Sequence, residues 1–238
     1  MKPLASDTAM VMAAGLGKRM RPLTSTRPKP MVKVAGKPLI DHALDRLASA
    51  GIANAVVNVH YLPDSLEAHV LARQAPHCVI SDERDLLLET GGGMVKAQPL
   101  LPDPFFCLNS DNLWLEGPQD CFHQLSQLWD PATMDALLLM VPHAGARNYR
   151  GSGDFYLDPL GRVSRRRAER VAPFIYTGIQ LVSHRLLRDP PTGPFSTNVL
   201  WDRAIADGRL YGTTFTGQWY EVGDPAAVAA TEAAVNGG

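Results

Sequence analysis

MAAGLGKRMRPLTSTRPKPMVKVAGKP, Met12 to Pro38, follows an apolar run, Met10 to Met12, that reads as a short buried strand. Ala13, Ala14, Gly15 and Gly17 then leave the backbone bare enough for its N–H groups to close around phosphate oxygens. Arg19, Arg21 and Lys29 bring positive charge to the same rim, and Pro28 and Pro30 predict an extended segment around Lys29. A triphosphate is the ligand such a loop suits.

Other readings compete for the same residues. A dinucleotide-binding fold opens with Gly-x-Gly after a strand but requires a third glycine where Met20 stands. The lysine spacing of a Walker A loop is also missing. Taken alone, Gly17-Lys18-Arg19 is best read as a solvated turn, so the case rests on the whole stretch.

Outward from this loop, strand-like and helix-like patterns alternate, which favours a parallel α/β sheet. Ile40, Ala43, Leu44, Leu47 and Ala48 recur at helical spacing up to Gly51, and AVVNVHY (Ala55 to Tyr61) reads as a strand. A helix is expected over Asp64 to Arg73, a strand over Cys78 to Ser81, and a buried strand over FFCLNSD, Phe105 to Asp111. A helix near Asp120 to Trp129 and an interior strand at Ala136 to Val141 come next. Gly151 to Val182 looks antiparallel, with a hairpin around Pro159 to Gly161. A helix near Asn198 to Ala206, a strand near Leu210 to Thr216 and a helix over Pro225 to Val235 complete the pattern.

Composition narrows the function classes. The 238 residues fit one large domain, and 23 Lys plus Arg nearly cancel 24 Asp plus Glu, so no global field favours nucleic acid or an anionic membrane. No run approaches a membrane span or a signal peptide, and Cys78, Cys107 and Cys121 read as core residues of a reducing compartment. A cytoplasmic location is the expectation; no oligomeric state follows.

Three further features carry chemistry. Asp111 ends a hydrophobic strand, at the edge where open α/β sheets place ligands, although an Asp in Asn-Ser-Asp-Asn also suits a turn cap. Gly91-Gly92-Gly93 is either a flexible helix entry or a backbone that a flat base and ribose must approach. The run Arg165, Arg166, Arg167 and Arg170 reads as a solvated face, yet an arginine fork there would serve a carboxylate-bearing sugar.

The long stretch resembles the signature of the sugar-1-phosphate nucleotidyltransferases, AAG-x-G-x-R-[ML]-x-PLT followed by PKP-[ML]. Ala13, Ala14, Gly15, Gly17, Arg19, Met20, Pro22, Leu23, Thr24, Pro28, Lys29, Pro30 and Met31 match it position by position. The resemblance implies a Rossmann-like mixed, mostly parallel sheet flanked by helices, the nucleotidyltransferase type A fold, as one catalytic domain over residues 1–238 with no C-terminal β-helix. By the same resemblance Ala13, Ala14, Gly15, Gly17, Lys29, Glu89, Gly91, Gly92 and Asn109 would hold the nucleotide. Arg19 would neutralise the pyrophosphate leaving group, and Lys29 would span the acceptor phosphate and the α-phosphate.

Asp111 matches the family's metal aspartate in [NG]-x-D, and Glu221 stands at the aspartate position of W-x-D-x-G, between Trp219 and Gly223. Magnesium is the implied cofactor, with Asp224 placed to share the role. Gly153-Asp154-Phe155 and Tyr176-Thr177-Gly178-Ile179 resemble the family's acceptor segments, so Gly153, Asp154, Thr177 and Gly178 would border the sugar. The ETGGG form, Glu89 to Gly93, is similar to the branch that uridylylates N-acetylmuramate 1-phosphate in peptidoglycan recycling, whereas guanylyltransferases more often show LGTAG. UTP and that sugar 1-phosphate are therefore the implied substrates. A mannose 1-phosphate guanylyltransferase is the nearer rival. A non-catalytic sugar-nucleotide sensor is the other, disfavoured because Lys29 and both acids are present.

Overall fold

Alternation of buried strands with one-sided helices builds a layered α/β molecule in the computed structural model, which describes residues 2–236. The first half runs β1 (Thr8–Met12), β2 (Lys33–Val34), β3 (Lys37–Pro38), α1 (Leu39–Ser49), β4 (Asn54–Val59), α2 (Pro63–Leu71), β5 (His77–Asp82), α3 (Glu89–Ala97) and β6 (Phe105–Asn109). The second runs β7 (Asn112–Leu115), α4 (Cys121–Leu128), β8 (Ala136–Pro142), β9 (Ala146–Arg147), β10 (Phe155–Leu157), β11 (Val163–Arg165), β12 (Phe174–Val182), α5 (Thr197–Ala206), β13 (Leu210–Thr214), β14 (Gln218–Glu221) and α6 (Pro225–Asn236).

The main sheet follows the path β5-β4-β1-β6-β12-β8-β13, and only β12 runs against the rest. The expected mixed, mostly parallel sheet is thus present. The β10–β11 hairpin hangs from the start of β12 and turns through Gly161, whose φ of +80° favours glycine. Side-chain alternation along β1 sends Ala9 and Val11 into one core layer and Met10 into the other. α1, α2 and α4 cover the first layer through residues such as Leu44, Leu66 and Phe122, while α3 and α5 cover the second through Met94 and Leu200. Asp120 sets the start of α4 by accepting from the N–H groups of Phe122 and His123, both at 3.0 Å. All three cysteines are free and buried, and burial pushes the Cys107 thiol up to about 12, so it packs as a core residue.

A second sheet, β7-β14-β9, has no counterpart in the sequence expectations. It packs Leu113 and Tyr220 against Met20, Val32, Val34 and Leu39 in a small separate core. A β-bulge in β12 joins it to the main sheet: the Thr177 carbonyl accepts from Asn112 Nδ2 at 2.8 Å and from Trp219 Nε1 at 2.9 Å. The second sheet also shortens the expected strand ending at Asp111. β6 stops at Asn109, and Ser110-Asp111 form a turn so that the chain can leave the main sheet and enter β7. No β-helix occurs among the described residues, and none of their helices is long and apolar enough to cross a membrane.

Candidate active site

The parallel strands end along one edge, with Met12 beside Asn109 and Val59 beside Asp82. Their loops therefore face one another, as at other sheet edges of this kind. The Met12 carbonyl accepts from Ser110 N at 3.2 Å and Ser110 Oγ at 2.8 Å, tying the loop after β1 to the turn after β6. Between the loops lies a cavity of about 400 Å3. Of the residues singled out in the sequence, Ala13, Ala14, Gly15, Lys29, Glu89, Asn109 and Asp111 line it and Gly17, Arg19, Gly91, Gly92 and Glu221 do not; Asn58, Leu87, Thr90, Ser110 and Ser196, which the sequence reading did not single out, line it as well. Asn58 carried a signal, being a polar residue inside the apolar run Ala55 to Val59; Ser196 carried none.

The two loop glycines differ in kind. Gly17 has a φ of +59°, and a Cβ there would lie 3.0 Å from Thr24 Cγ2, so the fold itself requires it. At Gly15 a Cβ would meet nothing within 4 Å, yet the residue lines the cavity. Packing therefore does not require a glycine at position 15.

Lys29 lies in a 3-10 turn, Lys29–Met31, and not in the extended segment expected from its flanking prolines. Met31 N donates to Pro28 O at 2.9 Å and Val32 N to Lys29 O at 3.0 Å, and these bonds outweigh the extended preference of a residue before proline. The turn aims the lysine inward: its side chain is 12% exposed and Nζ donates to Asp111 Oδ2 at 2.6 Å. Glu221 reaches the same place from the far end of the chain because β14 pairs with β7 in the register Glu221 to Asn112. Arg19, 74% exposed, places NH1 4.0 Å from Glu221 Oε1. Burial pushes the Glu221 carboxyl up from its ordinary value, Asp111 and Asp224 push the same way, and Arg19 and Lys29 oppose them. Asp224 is engaged elsewhere, since its Oδ1 accepts from Ala227 N at 2.8 Å and opens α6. Among the described residues no group of three or more His, Cys, Asp or Glu forms a metal cage. A divalent ion between Asp111 and Glu221 would take its other ligands from phosphates and water, which suits magnesium.

The triglycine is neither a flexible entry nor a free base-reading edge. Gly91 to Gly93 lie inside α3, and the N–H groups of Gly91 and Gly92 both donate to Phe195 O, at 2.9 and 3.1 Å. A Cβ on Gly91 would collide with the Phe195 ring, and one on Gly93 would fall 2.8 Å from Glu83 Oε1. Close approach is the right reason for these glycines, but the approaching groups are protein. Glu89 differs: it faces the cavity from a backbone with φ +60°, a conformation that a glutamate adopts at a cost.

On the acceptor side, Thr177 sits beneath the site rather than in its wall. It is fully buried and its hydroxyl donates to Leu139 O at 2.8 Å. Gly178, at φ +87°, makes room for Asn112 Nδ2, with which a Cβ would collide. Gly153 packs under the Ala172 carbonyl, and Asp154 is strapped to β12 by Tyr176 N at 2.9 Å. A second cavity of about 220 Å3 adjoins the first, sharing Met12, Thr90, Asn109 and Ser196 and adding Tyr176, Gln180, Asn198 and Trp201. Arg165 is not part of a free charge run. It bonds Asp202 at 2.7 Å and Asn198 at 2.9 Å and lies over the Phe155 and Trp201 rings.

Comparison with known proteins bears on this geometry. The family described as Nucleotidyl transferase matches residues 8–149. The chain is 46% identical over 234 residues to the N-acetylmuramate alpha-1-phosphate uridylyltransferase of Caulobacter vibrioides, covering 96% of this chain and 97% of the relative. It is 30% identical over 231 residues to the mannose-1-phosphate guanylyltransferase catalytic subunit beta of Danio rerio, covering 91% of this chain and 61% of the relative. A crystal structure of UDP-glucose pyrophosphorylase with UDP-glucose superposes with a TM-score of 0.79 over 98% of this chain and 99% of that one, at 14% identity, a likeness of fold.

Proposed function

The chain belongs to the nucleotidyl transferase family, and on that premise we propose that it transfers the uridylyl group of UTP to N-acetylmuramate 1-phosphate, releasing pyrophosphate. The observation that carries this reading is a single cavity on which the bare Gly15 loop, the inward-aimed Lys29 and Asp111 converge. The choice of substrates is supported by the 46% identity to a uridylyltransferase of that name against 30% to a guanylyltransferase.

An acceptor phosphate oxygen is already ionised at neutral pH, so no general base is needed. Its bond to the α-phosphorus forms while the α–β phosphoanhydride bond breaks and pyrophosphate leaves with the electron pair. Alignment and charge neutralisation are the remaining tasks. In this reading Ala13, Ala14, Gly15 and Gly17 cradle the triphosphate, with Glu89 and Asn109 on the walls nearby. Lys29 neutralises the transferring group, and exposed Arg19 draws off the leaving pyrophosphate. Asp111 and Glu221 would hold Mg2+, which when bound supplies charge neutralisation at the phosphate oxygens. Gly91, Gly92, Gly153, Asp154, Thr177 and Gly178 act through the backbone they shape. The adjoining chamber, with Asn198, Tyr176 and Trp201, is read as the acceptor side. A lactyl carboxylate would fall to Arg166, Arg167 or Arg170, because the Arg165 fork is engaged.

The test is a matrix of nucleoside triphosphates against sugar 1-phosphates, read as pyrophosphate release. UTP with N-acetylmuramate 1-phosphate should be fastest, and the muramate ester should exceed N-acetylglucosamine 1-phosphate by about tenfold or more, roughly 1.4 kcal/mol. Faster turnover of GTP with mannose 1-phosphate would overturn the assignment.

A further inference from the structure

From Asn58 in the cavity wall a buried polar chain that the proposed chemistry does not use runs back to Glu83. Ala13 N donates to Asn58 Oδ1 at 2.6 Å, Asn58 Nδ2 donates to Glu83 Oε1 at 2.7 Å, and Leu88 N donates to Glu83 Oε2 at 3.1 Å. Asn58 is 2% exposed and Glu83 is wholly buried. The Glu83 backbone is clamped as well, by its N–H to Val59 O at 2.9 Å and its carbonyl to His60 Nδ1 at 2.7 Å. One end of the chain is the phosphate-cradle loop, and the other is the residue that opens α3.

The ends dictate the middle. Both are backbone N–H groups, which only donate. Asn58 must therefore turn its oxygen to Ala13 and its NH2 to residue 83, and residue 83 must accept at both of its atoms, as a carboxylate does. A glutamine at 83 would set a donor against a donor, either at Leu88 or at Asn58. The same carboxylate explains Gly93, whose missing side chain lets α3 close over Glu83 Oε1 and Asn58 Nδ2.

We infer that Glu83 is a positioning residue which, through Asn58, sets the separation between the loop that holds the phosphates and the loop that opens α3, and so governs nucleotide affinity. This rests on the nucleotidyl-transfer reading of the cavity. Glu83 does not line the cavity and acts only through its two partners.

The polarity of the chain supplies its own test. When Asn58→Asp is combined with Glu83→Gln, the carboxylate introduced at position 58 accepts from Ala13 N and from the amide NH2 introduced at position 83. The amide oxygen at position 83 then accepts from Leu88 N. Every donor again meets an acceptor, at the same net charge. The four proteins of this cycle are compared by pyrophosphate release, using whichever nucleoside triphosphate the wild type turns over fastest, with KM measured separately for nucleotide and sugar 1-phosphate. If that triphosphate is not UTP, the proposed substrate fails while the cycle still runs. Each single variant should raise nucleotide KM at least about tenfold, roughly 1.4 kcal/mol, and change acceptor KM less than about threefold. The double variant should return nucleotide KM to within about threefold of wild type. Single variants with wild-type nucleotide KM overturn the inference. So does a double variant whose defect is the product of the two. Loss of melting temperature with both KM values moving together points to a merely structural role and overturns it too. If Glu83→Gln alone does not fold, Asn58→Asp and the double variant still decide the matter.

Discussion

Replacing Lys29 with methionine keeps most of the buried stem and deletes the charge. In the folded protein the ammonium meets Asp111 at 2.6 Å with its own side chain 12% exposed and that of Asp111 33% exposed. Removing one partner of such a charge-assisted bond costs about 1.5–3 kcal/mol of stability. For a chain of this size each kcal/mol lowers Tm by roughly 2–4 °C, so the variant should melt several degrees lower and remain folded. Turnover should fall far more, since a preorganised cation at a transferring phosphoryl group is worth on the order of 3 kcal/mol, about a hundredfold in rate. A third effect has the opposite sign. With the ammonium gone, the Asp111 carboxylate is no longer neutralised, and the Mg2+ concentration for half-maximal activity should drop. Steady-state pyrophosphate release at varied Mg2+, beside a thermal melt, reads all three. A folded Lys29→Met protein with turnover within about threefold of wild type would refute the role given to Lys29.

Asp111→Asn and Glu221→Gln each remove one carboxylate charge at constant size, and both should lower turnover and raise the Mg2+ requirement. Asp111 should matter more because Ser110 anchors its turn twice to Met12 O, and equal Mg2+ titrations for wild type and both variants would count against the pair. Glu116 governs a separate dependence on pH. Burial pushes its carboxyl up from the ordinary 4.5, the Asp120 charge adds to this, and bonds from Trp114 and Cys121 only partly oppose it. The folded state then holds the proton more tightly than the unfolded one, so this stabilisation is complete below pH 4.5 and is lost as pH rises through the folded value. In urea unfolding, the stability advantage of wild type over Glu116→Gln should shrink as pH rises from about 4.5. An advantage that grows with pH would show the sign to be wrong.

Local patterns carried the main sheet and its helices because burial there is two-sided and continuous, as at Ala9 to Val11 and Phe105 to Leu108. Helix ends were legible where a side chain caps them, as Asp120 does, and shifted elsewhere, with α2 at Pro63–Leu71 against the expected Asp64 to Arg73. The sheet β7-β14-β9 was hidden because its strands, two to four residues long, are too short to show a period, and β14 pairs with β9 across 73 residues and with β7 across more than a hundred. The cavity residues of the first loop were legible as a contiguous string. Asn58, Thr90 and Ser196 enter from β4, the first turn of α3 and the start of α5, and no spacing rule links them to it. Gly91 to Gly93 shows a different limit: a glycine announces close approach without saying whether a ligand or a phenylalanine does the approaching.

The pairing of β14 with β7 also limits how this site can change. Asp111 lies in the turn that leads into β7 and Glu221 closes β14 opposite Asn112, so one small sheet brings the two acids together. The spacing between Glu221 and its register partner Asn112, the residue after Asp111, is an interstrand one, about 4.8 Å, which backbone hydrogen bonding holds for any sequence. Within that frame the reach of the pair toward a ligand changes one methylene at a time, by exchanging aspartate and glutamate at either position.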